Sequence, residues 1–184
     1  LTERLLNDGH SVTVLDNLST GQLSNISHLL ENESLNVVEG DIRQKESLEE
    51  HIQQADRIFH LAAAVGVLNI VNDPIGSMET NLVGSSNMFS LALKYKKPIF
   101  ITSSSEIYGK NTSDSLSEDS DRIIGAPQKI RWSYSDSKAI IEAIAVTLFE
   151  KHGLETHIVR IFNAVGPRQR GNFGMVLPRF VAAA

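Results

Sequence analysis

Apolar positions follow two alternating rhythms along this chain. In LTERLLNDGH, Leu1, Leu5 and Leu6 share one face of a 3.6-residue turn and Gly9 is a natural stop, which predicts a helix. The β-branched run SVTVLD predicts a strand ending at Asp16, and LNVVEGD a second strand ending at Asp41. QKESLEEHIQQA is polar with a thin apolar stripe and predicts a surface helix. DRIFHLAAA predicts a third strand running into small residues. Met78 to Tyr95 predicts a long helix, PIFITSS a strand, Ser133 to His152 a second long helix and ETHIVRIFN a last strand.

Continuous apolar strands alternating with helices predict an α/β fold with a parallel sheet covered on both faces, doubly wound in the Rossmann manner. Ligands of such sheets bind beyond the carboxyl ends of the strands. Asp16, Asp41, Ala62 to Ala64, Ser103 to Ser105 and Asn163 all fall at ends of that type. Lys110 to Arg131 has no periodicity, and a stretch that long reads as a loop over the cleft or as a mobile insert. No internal repeat interrupts the alternation.

Composition narrows the functional classes. With 184 residues, 41% of them hydrophobic, the chain holds one domain with a substantial core, or a domain and part of another. A formal net charge of -5 and no basic run give no footprint for nucleic acid or an anionic membrane. Without cysteine there is no disulfide framework and no thiolate metal site, and no metal is expected. No apolar stretch approaches the roughly 20 residues that span a bilayer, and no secretory leader is evident. The expected location is the cytoplasm.

Two polar clusters carry chemistry. Tyr134 and Lys138 in YSDSK are four residues apart at the start of a predicted helix and share a face. A phenol is a poor base at its usual pKa of about 10, and a neighbouring ammonium favours the phenolate. Such a pair can move a proton at a sugar hydroxyl; alone, it also fits an ordinary amphipathic helix surface. TSSSEIYG places Ser104, Ser105 and Glu106 at a strand end, where hydroxyls can position the same substrate oxygen and the carboxylate can act as a second base or hold substrate. Serines also cap turns. The two clusters, about thirty positions apart, favour the chemical reading together. Asp16 can accept hydrogen bonds from an adenosine ribose, which favours NAD over NADP, and Asp41 stands where an adenine amino group is read; each also fits a cap. Ala62 to Ala64 leave backbone open to a cofactor or to close helix packing.

The ordered series LDN, GD, HLAAAVGV, ETNLVGSSN, TSSSEIYG, YSDSK and RIFNAVGPR resembles the extended short-chain dehydrogenase/reductase family, and within it the NAD-dependent nucleotide-sugar epimerases, dehydratases and decarboxylases. The resemblance implies that Asp16 and Asn17 hold the adenosine ribose and Asp41 and Ile42 the adenine. Leu61, Ala62 and Ala63 would line the pyrophosphate and nicotinamide side, with Asn81 near the cofactor. Ser104 would be the active-site hydroxyl and Tyr134 the catalytic base and acid. Lys138 would hold the nicotinamide ribose and lower the Tyr134 pKa. Asn163, with Arg168, would contact the substrate diphosphate, and residues 164–184 would open the substrate-binding region.

The implied reaction oxidises a sugar carbon and then reduces it again with NAD retained. Epimerisation of a UDP-sugar is the leading expectation and UDP-glucuronate decarboxylation the alternative, which the Ser105–Glu106 pair favours. A non-catalytic NAD-fold binding domain is the reading from another class. The resemblance also implies a homodimer through the two long helices. The family's glycine-rich turn is absent here, and LTERLLNDGH reads as the end of the helix that follows it. The expectation is therefore a partial Rossmann domain, without its first strand and without most of the substrate region, that binds NAD weakly and is inactive in isolation.

Overall fold

The computed structural model describes residues 1–169 and 176–184. Helix α1, Thr2–Asn7, ends at Gly9, whose φ of +85° is left-handed and favours glycine. Strand β1, Val12–Asp16, leads through two short 3₁₀ turns to β2, Leu35–Glu39. Helix α2, Lys45–Gln54, precedes β3, Ile58–His60. A short helix α3, Val67–Asn72, precedes the long helix α4, Pro74–Tyr95. Strand β4, Ile99–Ser104, passes into a 3₁₀ turn over Ser105–Tyr108. Helix α5, Trp132–His152, strand β5, Thr156–Ile161, and helix α6, Val176–Ala183, complete the chain.

All strand pairing is parallel, as expected. β1 pairs with β2 from Val12 opposite Leu35 to Asp16 opposite Glu39. β4 lies between β3 and β5, with Ile58 opposite Ile99 and Ser104 opposite Ile161. These are two separate sheets, and among the described residues no strand joins β1 to β3. Each therefore carries an unpaired backbone edge, the condition expected of a Rossmann sheet interrupted at its centre.

One core spans both sheets. Ile42, Leu48 and Ile52 from the β2–α2 side meet Met88, Phe89, Leu91 and Ala92 of α4. Ile58, Ile99 and Ile101 of the strands and Ile141 and Ala145 of α5 close it. Gly84 permits the tightest approach, since a Cβ there would come 2.3 Å from Ile42 Cδ1. The sheet is not covered equally on its two faces. Ile99, Ile101 and Ser103 are buried, whereas Val159 and Ile161, at the other phase of β5, stay 42% exposed. On the long helices Val83, Ile140, Val146 and Phe149 are exposed. No helix among the described residues is long and apolar enough to cross a membrane.

Boundaries differ from expectation where local hydrogen bonding intervenes. α4 begins four residues before Met78, because Asp73 Oδ1 accepts the Gly76 amide at 3.0 Å and Pro74 opens the first turn. β2 stops at Glu39 rather than Asp41, since the Asp41 carboxylate accepts the Arg43 amide at 2.9 Å and turns the chain. Ser103 and Ser104 lie within β4, and Ser105 starts the turn after it.

The stretch from Lys110 to Arg131 is irregular but pinned. Gly109 bridges Ile123, and its φ of +67° brings it so close that a Cβ would sit 2.3 Å from the Ile123 carbonyl oxygen. Arg122 donates to the Ile107 carbonyl at 3.1 Å and to Asp136 Oδ1 at 2.8 Å. Arg160, on β5, donates to the Glu118 carbonyl at 2.9 Å, the Tyr108 hydroxyl at 3.0 Å and Glu142 Oε2 at 2.8 Å. Two arginines thus strap this loop to the helix that carries Tyr134.

Candidate active site

The carboxyl ends of β1, β2 and β3 frame a cleft of about 360 Å³. Asp16, Asn17, Ile42, Ala62 and Ala63, all expected to hold the cofactor, line it together with Gly40, Arg43, Ala64 and Thr80. Asp16 Oδ1 accepts the Leu18 amide at 2.7 Å, which holds the carboxylate at the rim where β1 ends. Asn17 Nδ2 donates to Asp41 Oδ2 at 3.2 Å, joining the β1 and β2 ends. Asp41 lies outside the lining: Arg43 holds its carboxyl far below the usual carboxylate range through Nε at 3.0 Å and Nη2 at 2.6 Å. Asn87, which sequence reasoning missed, donates to the carbonyls of Ile42 and Arg43, both at 3.0 Å, and so fixes this wall from α4.

The cleft has features that fit the adenosine ribose part of a dinucleotide. Its lining holds the Asp16 carboxylate and the small residues 62 to 64, and its volume is in the range of ligand sites. Leu61 is outside the lining and 47% exposed.

Asn81 adjoins the cleft wall without entering its lining. It is 2% exposed; its Oδ1 accepts the Ala64 amide at 2.8 Å and its Nδ2 donates to Ser137 Oγ at 3.2 Å. Ser137 Oγ in turn donates to the Tyr134 carbonyl at 2.8 Å. Asn81 therefore links the cleft wall to the first turn of α5 from behind rather than facing the cavity.

Beyond β4 lies the second cluster. Ser104, Glu106, Tyr134 and Lys138 meet where β4 ends and α5 begins. Ser104 Oγ accepts the Glu106 amide at 3.2 Å, which sets the turn that presents Glu106. Burial pushes the Tyr134 phenol up, a hydrogen bond with Ser104 pulls it back, and the Glu106 charge raises it further. Ser105 adjoins them at the start of the turn.

Lys138 stands beside Tyr134 with its ammonium engaged by backbone. It is 5% exposed, its Nζ lies 5.9 Å from the Tyr134 ring centroid, and it donates to the Thr102 carbonyl at 2.7 Å. Burial brings its pKa down to about 8, against a partial restoring pull from Glu142. In this state the phenol is thus raised, because desolvation dominates and the ammonium is engaged with backbone.

Behind this cluster lies His60, 5% exposed and bonded to Ser85 Oγ at 2.8 Å through Nε2. Burial, with the Lys138 charge second, holds its pKa down at about 3 against an ordinary 6.5. An unfolded chain takes up this proton as pH falls through about 6.5 and the native one does not. The contribution of His60 to stability is therefore full above pH 6.5 and declines as pH falls from there toward 3. Each unit costs up to about 1.4 kcal/mol. His60→Gln should flatten the stability profile between pH 6.5 and 4.5 in denaturant titrations; an unchanged slope would remove His60 as its source.

Asn163, just past β5, is exposed. Arg168 does not join the site in this structure: its Nη1 donates to Glu3 Oε1 and to the Asn25 carbonyl, both at 3.0 Å. Of residues 164–184, those numbered 170–175 lie outside the described residues. No cluster of three or more metal-ligating side chains occurs among the described residues.

Fold and site together define an extended short-chain dehydrogenase/reductase of the nucleotide-sugar branch. The chain belongs to the GDP-mannose 4,6 dehydratase family, whose model matches residues 1–184. It is 40% identical over 185 residues to a UDP-N-acetyl-alpha-D-glucosaminuronate decarboxylase of Bacillus cytotoxicus, covering 100% of this chain and 56% of the relative. It superposes with TM-score 0.86 and 30% identity on a UDP-N-acetylglucosamine 4-epimerase from Methanobrevibacter ruminantium, solved with UDP-N-acetylmuramic acid, over 99% of this chain and 57% of that one. A dTDP-glucose 4,6-dehydratase from Streptomyces venezuelae, solved with NAD, matches with TM-score 0.86 and 28% identity over 98% and 56%. The chain spans about half the length of the curated relatives it matches.

Proposed function

We propose that the whole protein is an NAD-dependent decarboxylase of a UDP-hexuronate, glucuronate or its 2-acetamido counterpart. The observation that carries this is Glu106, a carboxylate presented beside Tyr134 by the turn after β4. The uronate decarboxylase among the relatives, at 40% identity, supports it over the epimerase first expected from the resemblance. The epimerase likeness of the fold keeps 4-epimerisation as the second reading.

Asp16, Asn17 and the small residues 62 to 64 would hold NAD, which when bound would supply a hydride acceptor restored within one turnover. This chain's residues handle the proton. Tyr134 takes it from the sugar O4′, with Ser104 placed to hold the same oxygen, and returns it at the end of the cycle. Oxidation at C4′ leaves the C5′ carboxylate β to a ketone. The C5′–C6′ bond can then break, carbon dioxide leaves, and its electron pair passes to the C4′ oxygen. C5′ must next gain a proton, which in this reading Glu106, half-exposed beside Tyr134, takes up from solvent and passes on.

Glu106→Gln should therefore reduce decarboxylation of UDP-glucuronate by about 10²-fold or more, the usual worth of a general acid or base. The check is incubation of the whole protein with UDP-glucuronate, UDP-N-acetylglucosaminuronate, UDP-glucose and UDP-galactose, reading pentose product, epimer or neither. Epimer formation insensitive to Glu106→Gln would overturn the decarboxylase reading in favour of the second.

A further inference from the structure

One charged side chain stands in this site without a role so far. Arg131 occupies the N-cap position of α5, three residues before Tyr134 and seven before Lys138, so all three share a helical face. Its guanidinium lies 4.5 Å from the centroid of the Trp132 ring. That ring is only 6% exposed, which makes it a fixed platform for the cation. Arg131 Nη2 is 3.7 Å from Glu106 Oε2. Both side chains of this pair are more than half exposed, at 61% and 51%, so it contributes little to stability and exchanges partners readily.

A hexuronate carries its carboxylate on C5′, adjacent to the C4′ hydroxyl that Tyr134 would serve. Brought to Tyr134, that carboxylate meets the like charge of Glu106, whose field already reaches the phenol. A countercharge is needed. Lys138 is buried and donates to Thr102. Arg160 is held by Glu142 and Tyr108, and Arg122 by Asp136 and the Ile107 carbonyl. Arg131 is the cation beside Glu106 whose partner is an exposed, exchangeable one.

We propose that Arg131 recognises the C5′ carboxylate of the substrate, turning its planar fork from Glu106 to the uronate and so selecting uronates over neutral sugars. Guanidinium and carboxylate match in a two-bond geometry that lysine lacks. This rests on the uronate reading given above. Arg131 is a specificity residue here, separate from proton transfer.

The test is calorimetric binding of UDP-glucuronate and UDP-glucose to the whole protein, in the parent, Arg131→Met and Arg131→Lys. Arg131→Met keeps an apolar stem on Trp132. It should weaken UDP-glucuronate by about 10–100-fold and leave UDP-glucose within about twofold, with Arg131→Lys between. In turnover, KM for the uronate should rise more than kcat falls. Equal losses for both sugars, or none for either, would overturn the proposal, as would a parent with no preference for the uronate. Carbon dioxide release is read separately. A parent that binds the uronate in an Arg131-dependent way but releases none refutes the decarboxylase reading and leaves this one standing.

Discussion

Tyr134→Phe is expected to lower turnover of the whole protein by about 10²–10⁴-fold while the fold persists. The change removes one oxygen and keeps the ring. The Ser137 bond at the head of α5 goes to the Tyr134 backbone carbonyl, so it survives the substitution. What is lost is the interaction with Ser104, worth about 1 kcal/mol. The resting phenol is held protonated by burial and by Glu106. Deprotonation of this phenol is therefore disfavoured in the resting site. Single-turnover product formation with thermal unfolding measured in parallel checks this. Turnover within tenfold of the parent would transfer the base to another group, with Glu106 next in line.

The parallel sheet and the long helices were legible because periodicity reports burial directly. Asp16, Asn17, Ile42, Ala62 and Ala63 were legible for a related reason: strand ends in this fold converge on one cleft. The partners of Asn81 were not legible, because a polar residue on an apolar helix face looks the same whether it meets a ligand or a buried amide. Asn87 carried no signal apart from its position six residues later. Helix α3 was missed, being six residues long with too few turns to show a period. The start of α4 was readable in Asp73 and Pro74, a cap followed by a first-turn proline.

The loop from Lys110 to Arg131 shows the limit most clearly. Its composition fits mobility, and its anchors lie elsewhere: Arg160 is 42 residues beyond the Glu118 carbonyl that it holds. A single arginine in a strand gives no warning that it joins a loop, a turn and a helix. The hydrogen-bond partner of Lys138 was hidden for a similar reason. Helical spacing brought the two side chains together, but the Thr102 carbonyl, 36 residues before Lys138, takes the ammonium.

Arg160→Met should destabilise the whole protein by about 3 kcal/mol, the scale for leaving one member of a buried ion pair uncompensated. Arg160 and Glu142 are only 18% and 12% exposed, and Arg160 meets Glu142 through Nε at 3.0 Å and Nη2 at 2.8 Å. The pairing pushes the guanidinium pKa up from its ordinary value. Glu142→Gln should cost a similar amount. The double variant should cost less than the sum, since the second change removes the charge stranded by the first. A coupling near zero in denaturant unfolding would show that the pair is ornamental. Two further readouts follow from the other bonds of Arg160. Loss of the donors to Glu118 and Tyr108 should make the stretch from Lys110 to Arg131 a preferred site of limited proteolysis. Glu142, freed of its partner, should act more fully on Lys138 and raise its pKa from about 8. A strap outside the cleft lining would then bear on the protonation of the lysine within the site, beside the larger effect of burial.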